Sequence, residues 1–508
     1  MKHVSVPLIS ALLLSACTVG PDFEAPRRPP VTSYIAKVDA GPPSDQRLII
    51  GEEVAADWWT ALHSTALNEV ISQALAGNQT IASARARVAE AQEEVNAAEG
   101  ALLPQLSFGA TAGEQKYGKD LFGPADISIP PFSYYGLGPS VNFPLDLFGG
   151  QRRTVEEKQA YVDYQRYELA AAYQSLIASV TAEALALAAA RAQIHILDVI
   201  VDSDQRNIDL VQASIVAGVG TQVQLQTALS QLASDRTGLP DLVQDEAVAR
   251  HALADSIGDV PAEWIPPDFT LTDFGLPSAI PIGVPSDLVH NRPDIEAAEA
   301  QLHLASAAIG VATANLYPQI DLTGTLTQQA LTPGALFLGV SNAWSVAASL
   351  TQPIFDGGRL SAERRATVDN YQATLATYRQ TILTAFGEVA DALQALSNDA
   401  TLLQDEIAAS DTAARSLDLA RRSYQAGNSG ILDVIDAQRS YSEAQLGLAR
   451  ATARRLADTA RLYLVLGGSP IATTTNPTQA ELQDEQSATL PNEQLSDAVV
   501  GERNTLRD

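Results

Sequence analysis

From about Asn68 onward, apolar residues recur at every third or fourth position over most of the chain, the spacing of one helix face. The stretch from Ile81 through Val95 carries Ala, Arg, Gln and Glu between its apolar positions and meets no Gly or Pro before Gly100, which predicts one long helix. A second is predicted from about Arg152 to Ala217. At ~1.5 Å per residue it would be roughly 100 Å long, far beyond the helices of ordinary globular domains. Similar patterns cover about 222–256, 294–316, 359–426 and 431–466. Their alanine content allows helices to approach closely, as in a coiled-coil wall.

In four places the period falls to two. Leu106, Phe108, Ala110 and Ala112 alternate with Gln105, Ser107, Gly109 and Thr111, and Tyr135, Leu137, Val141 and Phe143 form the apolar side of the next segment. Ile320, Leu322 and Leu326 alternate with Asp321, Thr323, Thr325 and Thr327; Trp344, Val346, Ala348 and Leu350 alternate with Ser345, Ala347, Ser349 and Thr351. Strands are predicted over about 105–117, 133–147, 319–331 and 342–355, with hairpin tips at 114–132 and 329–342. Their length and alternation suit membrane β-barrel strands, and alternation by itself leaves two hairpins of a soluble sheet open. Four strands are too few to close a barrel, and open edges in lipid leave backbone groups unsatisfied. A membrane reading therefore requires other copies of the chain to complete the barrel.

The pattern also repeats. Asn78–Leu106 aligns without a gap onto Arg292–Ile320, Pro144 through Gly149 and Gly150 onto Pro353 through Gly357 and Gly358, and Val216–Gly218 onto Gln425–Gly427. Three anchors in one order at nearly constant offset indicate an internal duplication of about 210 residues. The expected organisation is a signal peptide at 1–16, an N-terminal tether and equatorial segment at 17–66, repeat 1 at 67–257, a connector at 258–288, repeat 2 at 289–467 and a C-terminal segment at 468–508.

The first residues bear on location. A short basic start, an apolar run from Val4 to Leu14 and the tetrapeptide Leu14-Ser15-Ala16-Cys17 read as a cleaved signal resembling a bacterial lipobox. Cys17, the only cysteine, would carry covalent lipid, and Thr18 in place of Asp favours the outer membrane. A lone cysteine excludes an intrachain disulfide and a multi-cysteine zinc site. Past the signal, no run approaches the ~20 uninterrupted apolar residues of a transmembrane helix. With 60 acidic against 32 basic residues the net charge is -28, which repels phosphate backbones and excludes nucleic acid as a partner.

The search for enzyme chemistry is empty. Six histidines stand apart, and neither Gly-x-Ser-x-Gly nor His-Glu-x-x-His occurs. His195 and His303 read as packed or solvated rather than as ligands, and the adjacent pairs Glu93-Glu94 and Glu156-Glu157 read as solvated charge. The Gly149-Gly150 and Gly357-Gly358 pairs lack the residues of a phosphate loop and mark strand-to-helix transitions instead. Met1 is the only methionine, so soft-metal export through Met clusters has no support. No cofactor is expected beyond the lipid.

Several motifs together carry a family resemblance: Cys17 through Gly20-Pro21-Asp22 and Pro26; Asp57-Trp58-Trp59 with Leu67; Asn291-Arg292-Pro293-Asp294-Ile295 with Glu299, Ile309-Gly310 and Tyr317-Pro318; and Tyr424 through Gly427 with Leu432-Asp433-Val434-Ile435-Asp436-Ala437-Gln438. From Cys17 to about Pro470 the chain resembles the TolC/OprM-type outer-membrane efflux proteins, in their NodT-like lipoprotein branch. The resemblance implies an α+β membrane protein: a homotrimer in which four strands per protomer close a twelve-stranded transmembrane β-barrel, continued by a long α-helical barrel. Residues around 40–66, 258–288 and 468–508 would form an equatorial belt. It further implies a passive exit duct serving a periplasmic adaptor and an inner-membrane pump, commonly of the resistance-nodulation-division class. A duct for type I protein secretion and a lipid-anchored scaffold without a pore are the alternatives, and the strand segments count against the scaffold.

The resemblance also places a periplasmic iris at the helix tips, with turns at Gly218 and Gly427. Asp433 and Asp436 fall on tip aspartates that would form three-fold acidic rings, and Tyr424 on a latch tyrosine. Asp433 also suits a plain helix N-terminus, and Asp436 a solvated face. Where the family can place a basic residue after Gly427 this chain has Asn428-Ser429, and the acidic position facing the tyrosine is Gln224, so the expected latch rests partly on amide and hydroxyl contacts. Arg292-Pro293-Asp294 reads as a structural helix entry.

Overall fold

The computed structural model describes residues 18–27, 31, 33–34, 46–52, 54–118 and 129–467. Cys17 and the 468–508 segment lie outside them. Strand β1 (Arg47–Ile50) is followed by helices α1 (Thr65–Gly77) and α2 (Gln79–Gly100), strands β2 (Gln105–Gln115) and β3 (Phe132–Leu145), and helices α3 (Gly150–Val216), α4 (Gln222–Arg236) and α5 (Leu239–Ile257). Strand β4 (Ala279–Ile282) and helix α6 (Pro285–Asn291) lead to α7 (Pro293–Ala314), β5 (Gln319–Ala330), β6 (Asn342–Thr351), α8 (Arg359–Gln425) and α9 (Ile431–Val465).

Local sequence explains most boundaries. The Ser64 side chain caps α1 at the Leu67 amide, and Asn78 caps α2 at the Thr80 and Ile81 amides. Pro293 opens α7 in the first turn, where its missing N–H costs nothing. The 222–256 pattern, expected to be continuous, is two helices. Thr237 and Gly238 end α4, and Pro240 fits only a new first turn, so periodicity on both sides hides a real break.

β2, β3, β5 and β6 form one antiparallel sheet in that order, with the β3–β5 pairing joining the two hairpins. β1 and β4 pair in parallel at mid-height, in register from Arg47↔Ala279 to Ile50↔Ile282. The main core lies at that level: Trp58, Leu62, Leu67, Ile71, Ile177, Leu185, Leu253, Phe269, Ile280, Ile295 and Tyr463 are buried together. Trp58 stacks on Tyr463 with centroids 5.6 Å apart. Among the described residues α3 alone is long and apolar enough to cross a membrane as a helix. Its apolar stretch instead supplies Ile177, Val180, Ala184, Leu185, Leu187 and Ala188 to the core. A smaller cluster at the far end joins Ile208 and Val211 of α3 to Ala228 and Leu232 of α4, Leu417 of α8, and Ile431, Val434 and Ile435 of α9.

Candidate export duct and its helical tip

The register sorts the sheet into two chemically different faces. One row runs Leu106, Val141, Gly324, Val346; the next runs Ser107, Ser140, Thr325, Ser345. On the apolar face Leu106, Phe108, Trp344, Val346 and Leu350 are each 65–79% exposed. On the polar face hydroxyls bond across strands, Ser107 to Ser140 and Thr325 to Ser345, both at 2.7 Å. An exposed apolar face backed by a hydroxyl face, with β2 and β6 each unpaired along one edge among the described residues, has the two-sided chemistry that membrane β-barrel strands require.

Below the sheet the chain turns into its two longest helices, and both corners use one device. β3 stops short of the expected 147 because Asp146 follows it directly, and β6 ends at Thr351, short of the expected 355 and just ahead of Pro353, which has no N–H for a ladder. Asp146 accepts hydrogen bonds from the Gln151 and Arg152 amides, and Asp356 from the Gly358 and Leu360 amides. Gly149, Gly357 and Gly358 have φ of 77°, 69° and 87°, a region that favours glycine. Gly150 differs from expectation. It is an ordinary first helical residue, and its bare Cα leaves room for the Ala314 side chain.

The first residues after Cys17, expected as part of an extended tether, are docked at this corner. The Val19 amide bonds to the Phe148 carbonyl at 3.0 Å, and Gly20 lies directly on Gly310. The Arg153 guanidinium, nearly buried, donates to the Val19 carbonyl, to Asp22 at 2.7 Å and to Glu156 at 2.6 Å. Glu156 also meets His303 at 3.0 Å, and the imidazole stacks on Phe23 at 4.5 Å. The solvated reading of the glutamate pairs is therefore corrected for two members: Glu156 joins this network, and Glu94 pairs with Lys158 at 2.8 Å. His303 and Lys158 lie 147 and 64 residues from their glutamates, so no local pattern announces those contacts, whereas the Arg153–Glu156 pair at i,i+3 was readable.

At the opposite end the two turns are built alike. Gly218 and Gly427 have φ of 79° and 74° and close matching caps: Gly218 N–H to Ile215 and Val219 N–H to Ser214, Gly427 N–H to Tyr424 and Asn428 N–H to Ser423. Asp433 accepts from the Gly430 amide at 3.0 Å, starting α9. Asp436 pairs with Arg439 at 2.7 Å on an exposed face, a partner that sequence reasoning missed although its i,i+3 spacing was readable. Gln224 is engaged in its own capping box, its Oε1 accepting from the Thr221 amide at 2.8 Å. Tyr424 packs half-buried against the tip cluster, and within one protomer no hydrogen bond joins it to Gln224, Asp433 or Asp436. Among the described residues no group of three or more His, Cys, Asp or Glu could hold a metal.

Comparison with known proteins agrees with this architecture. The family model "Outer membrane efflux protein" matches residues 70–259 and 284–468. Nodulation protein T of Rhizobium leguminosarum bv. viciae is 31% identical over 460 residues, 90% of this chain and 92% of its own. The pyoverdine export outer membrane protein OpmQ of Pseudomonas aeruginosa is 31% identical over 476 residues, 92% of this chain and 97% of its own. The solved outer-membrane channel OprN superposes with a TM-score of 0.80 at 28% identity, over 89% of this chain and all of that one. The resemblance read from the sequence is borne out: the chain belongs to the outer membrane efflux protein family, and it is an exit channel in the outer membrane of a Gram-negative bacterium.

Proposed function

We propose that three copies of this chain close a twelve-stranded barrel in the outer membrane and a helical barrel beneath it, forming a passive duct that receives small molecules from an inner-membrane pump through a periplasmic adaptor. The observation that carries this reading is the sheet. A four-stranded sheet with two unpaired edges and an apolar face on which Leu106, Phe108, Trp344, Val346 and Leu350 stand exposed is unfavourable in water and in lipid alike, and closing it with further copies removes both edges. The paired runs of helix, hairpin, 67-residue helix and tip turn support a duplicated ancestor, which would give each protomer two similar staves. The pump proposed is of the resistance-nodulation-division class.

The duct does no chemistry on its cargo. Relatives bear the names of pyoverdine export and toluene efflux, so one architecture serves polar and apolar cargoes, and selection belongs upstream. Lipid on Cys17 would anchor each protomer beside its docked Val19–Phe23 segment. At the periplasmic end Tyr424, Gln224, Asp433 and Asp436 would form an iris between protomers, with the aspartates selecting cations. The test is single-channel conductance of the purified lipidated protein in a planar bilayer. Small cation-selective currents that grow when Tyr424 and Asp433 are substituted are expected. Absence of current in every variant, with the protein folded and inserted, would overturn the duct.

A further inference from the structure

Helix α4 is the weakest-held element near the tip. It runs only from Gln222 to Arg236, with Gly218–Gly220 before it and the Thr237–Gly238 break after it, whereas its counterpart α9 is unbroken over 35 residues. Ala228 and Leu232 are its only buried apolar residues. Its opposite face, with Gln222, Gln226, Ser230 and Ser234, lines an open groove. Where α4 ends at its hinge, Asp235 faces Asp204 of α3, about 18 Å from the tip at ~1.5 Å per residue.

Asp204 is 4% exposed, in a layer with the buried Ser203 and Asn207. Its Oδ2 has no hydrogen-bond partner among the described residues, while Asp235 Oδ2 accepts from Gln231 Nε2 at 2.9 Å. Two ionised carboxylates are unfavourable in such a place, because neither can donate to the other and burial strips Asp204 of solvent. One proton between them turns repulsion into a hydrogen bond. Burial first, then Asp235, pushes Asp204 up to about 7, and no basic group of α3, α4, α8 or α9 contributes. The nearest cations in sequence, Arg206 and Arg236, are exposed.

We infer that Asp204 and Asp235 form a proton-binding site that locks α4 to α3, and that loss of the shared proton frees α4 to swing about Gly238 and widen the tip. The widening rests on the duct reading above; the proton site and the α4 movement do not. The experiment uses full-length protein in lipid nanodiscs with spin labels at Gln205→Cys and Ala233→Cys, flanking the pair, and reads their separation at about pH 6 and about pH 8.5. The distance is expected to lengthen at the higher pH, and Asp204→Asn and Asp235→Asn, each able to donate in place of the proton, to hold it at the acidic value. An unchanged distance in the unsubstituted pair, or Asn variants that lengthen as it does, would overturn the site. Channel conductance is read in parallel: a several-fold alkaline rise, absent in Asp204→Asn, is expected. A lengthening distance without current at either pH would strike the duct and leave the proton site standing; current at both pH values with no lengthening would strike the proton site and leave the duct.

Discussion

Arg292 is 9% exposed, and its guanidinium gathers three chain segments: Asp294 in its own helix entry, Glu388 of α8 and the Val465 carbonyl at the end of α9. The motif was legible as a helix start, but its cross-linking role was not, since Glu388 lies 96 residues away. Replacing Arg292 with Met leaves Glu388 without its cation, and a loss of about 2–3 kcal/mol is expected, the carboxylates being partly exposed. Thermal unfolding of the purified protein measures it. Glu296, on the same helix, is pushed up to about 7 by burial and then by Glu299. The folded protein therefore keeps a proton that the unfolded chain releases near 4.5. The stability this proton confers is complete below that value and disappears as pH rises through about 7. Melting temperature should fall across this window, and Glu296→Gln should flatten the fall; an unchanged slope in the variant would remove Glu296 as its source.

Among elements, the strands were the most legible, because a two-residue period with hydroxyls on one side fits a pleated strand and no helix. The register gives a paired test. Val346 and Ser345 are neighbours on β6 but face opposite ways. Val346→Lys places a charge on the apolar face at mid-strand, where about 2–4 kcal/mol of destabilisation is expected in a bilayer, read as loss of inserted protein. Ser345→Lys should insert normally and lower cation selectivity. Equal behaviour of the two would mean that the faces do not divide lipid from lumen. Less legible were the ends. Asp146 ends β3 by capping α3, and Asp356 caps α8 some way past the end of β6, a side-chain function that leaves no period of its own. At the tip, Gly427→Ala forces a side chain into positive φ and should cost about 1–2 kcal/mol locally, with hydrogen exchange rising in the last turn of α8.

On the scale of the whole molecule, the acidic tip residues make an electrical prediction. Asp433→Ala with Asp436→Ala should reduce cation selectivity, seen as a reversal potential nearer zero in a salt gradient; an unaltered potential would take both out of the pore lining. Their direct contacts here, Gly430 and Arg439, are local, so the latch proposed for them would have to form between the protomers of the proposed trimer. The family motifs identified the channel without revealing these contacts, because a motif preserves residue types and spacing but not the partner each side chain finds. The two longest helices have a further consequence. α3 and α8 are both 67 residues, start at matching glycine corners and end at matching glycine turns. Together they act as a double ruler for the depth of the periplasm: at ~1.5 Å per residue the mouth hangs roughly 100 Å below the membrane rim. Any change of reach must be made twice, residue for residue, since shortening one stave alone would tilt its turn out of the common plane. A cell with a wider envelope would have to lengthen both together or take up the difference in the adaptor.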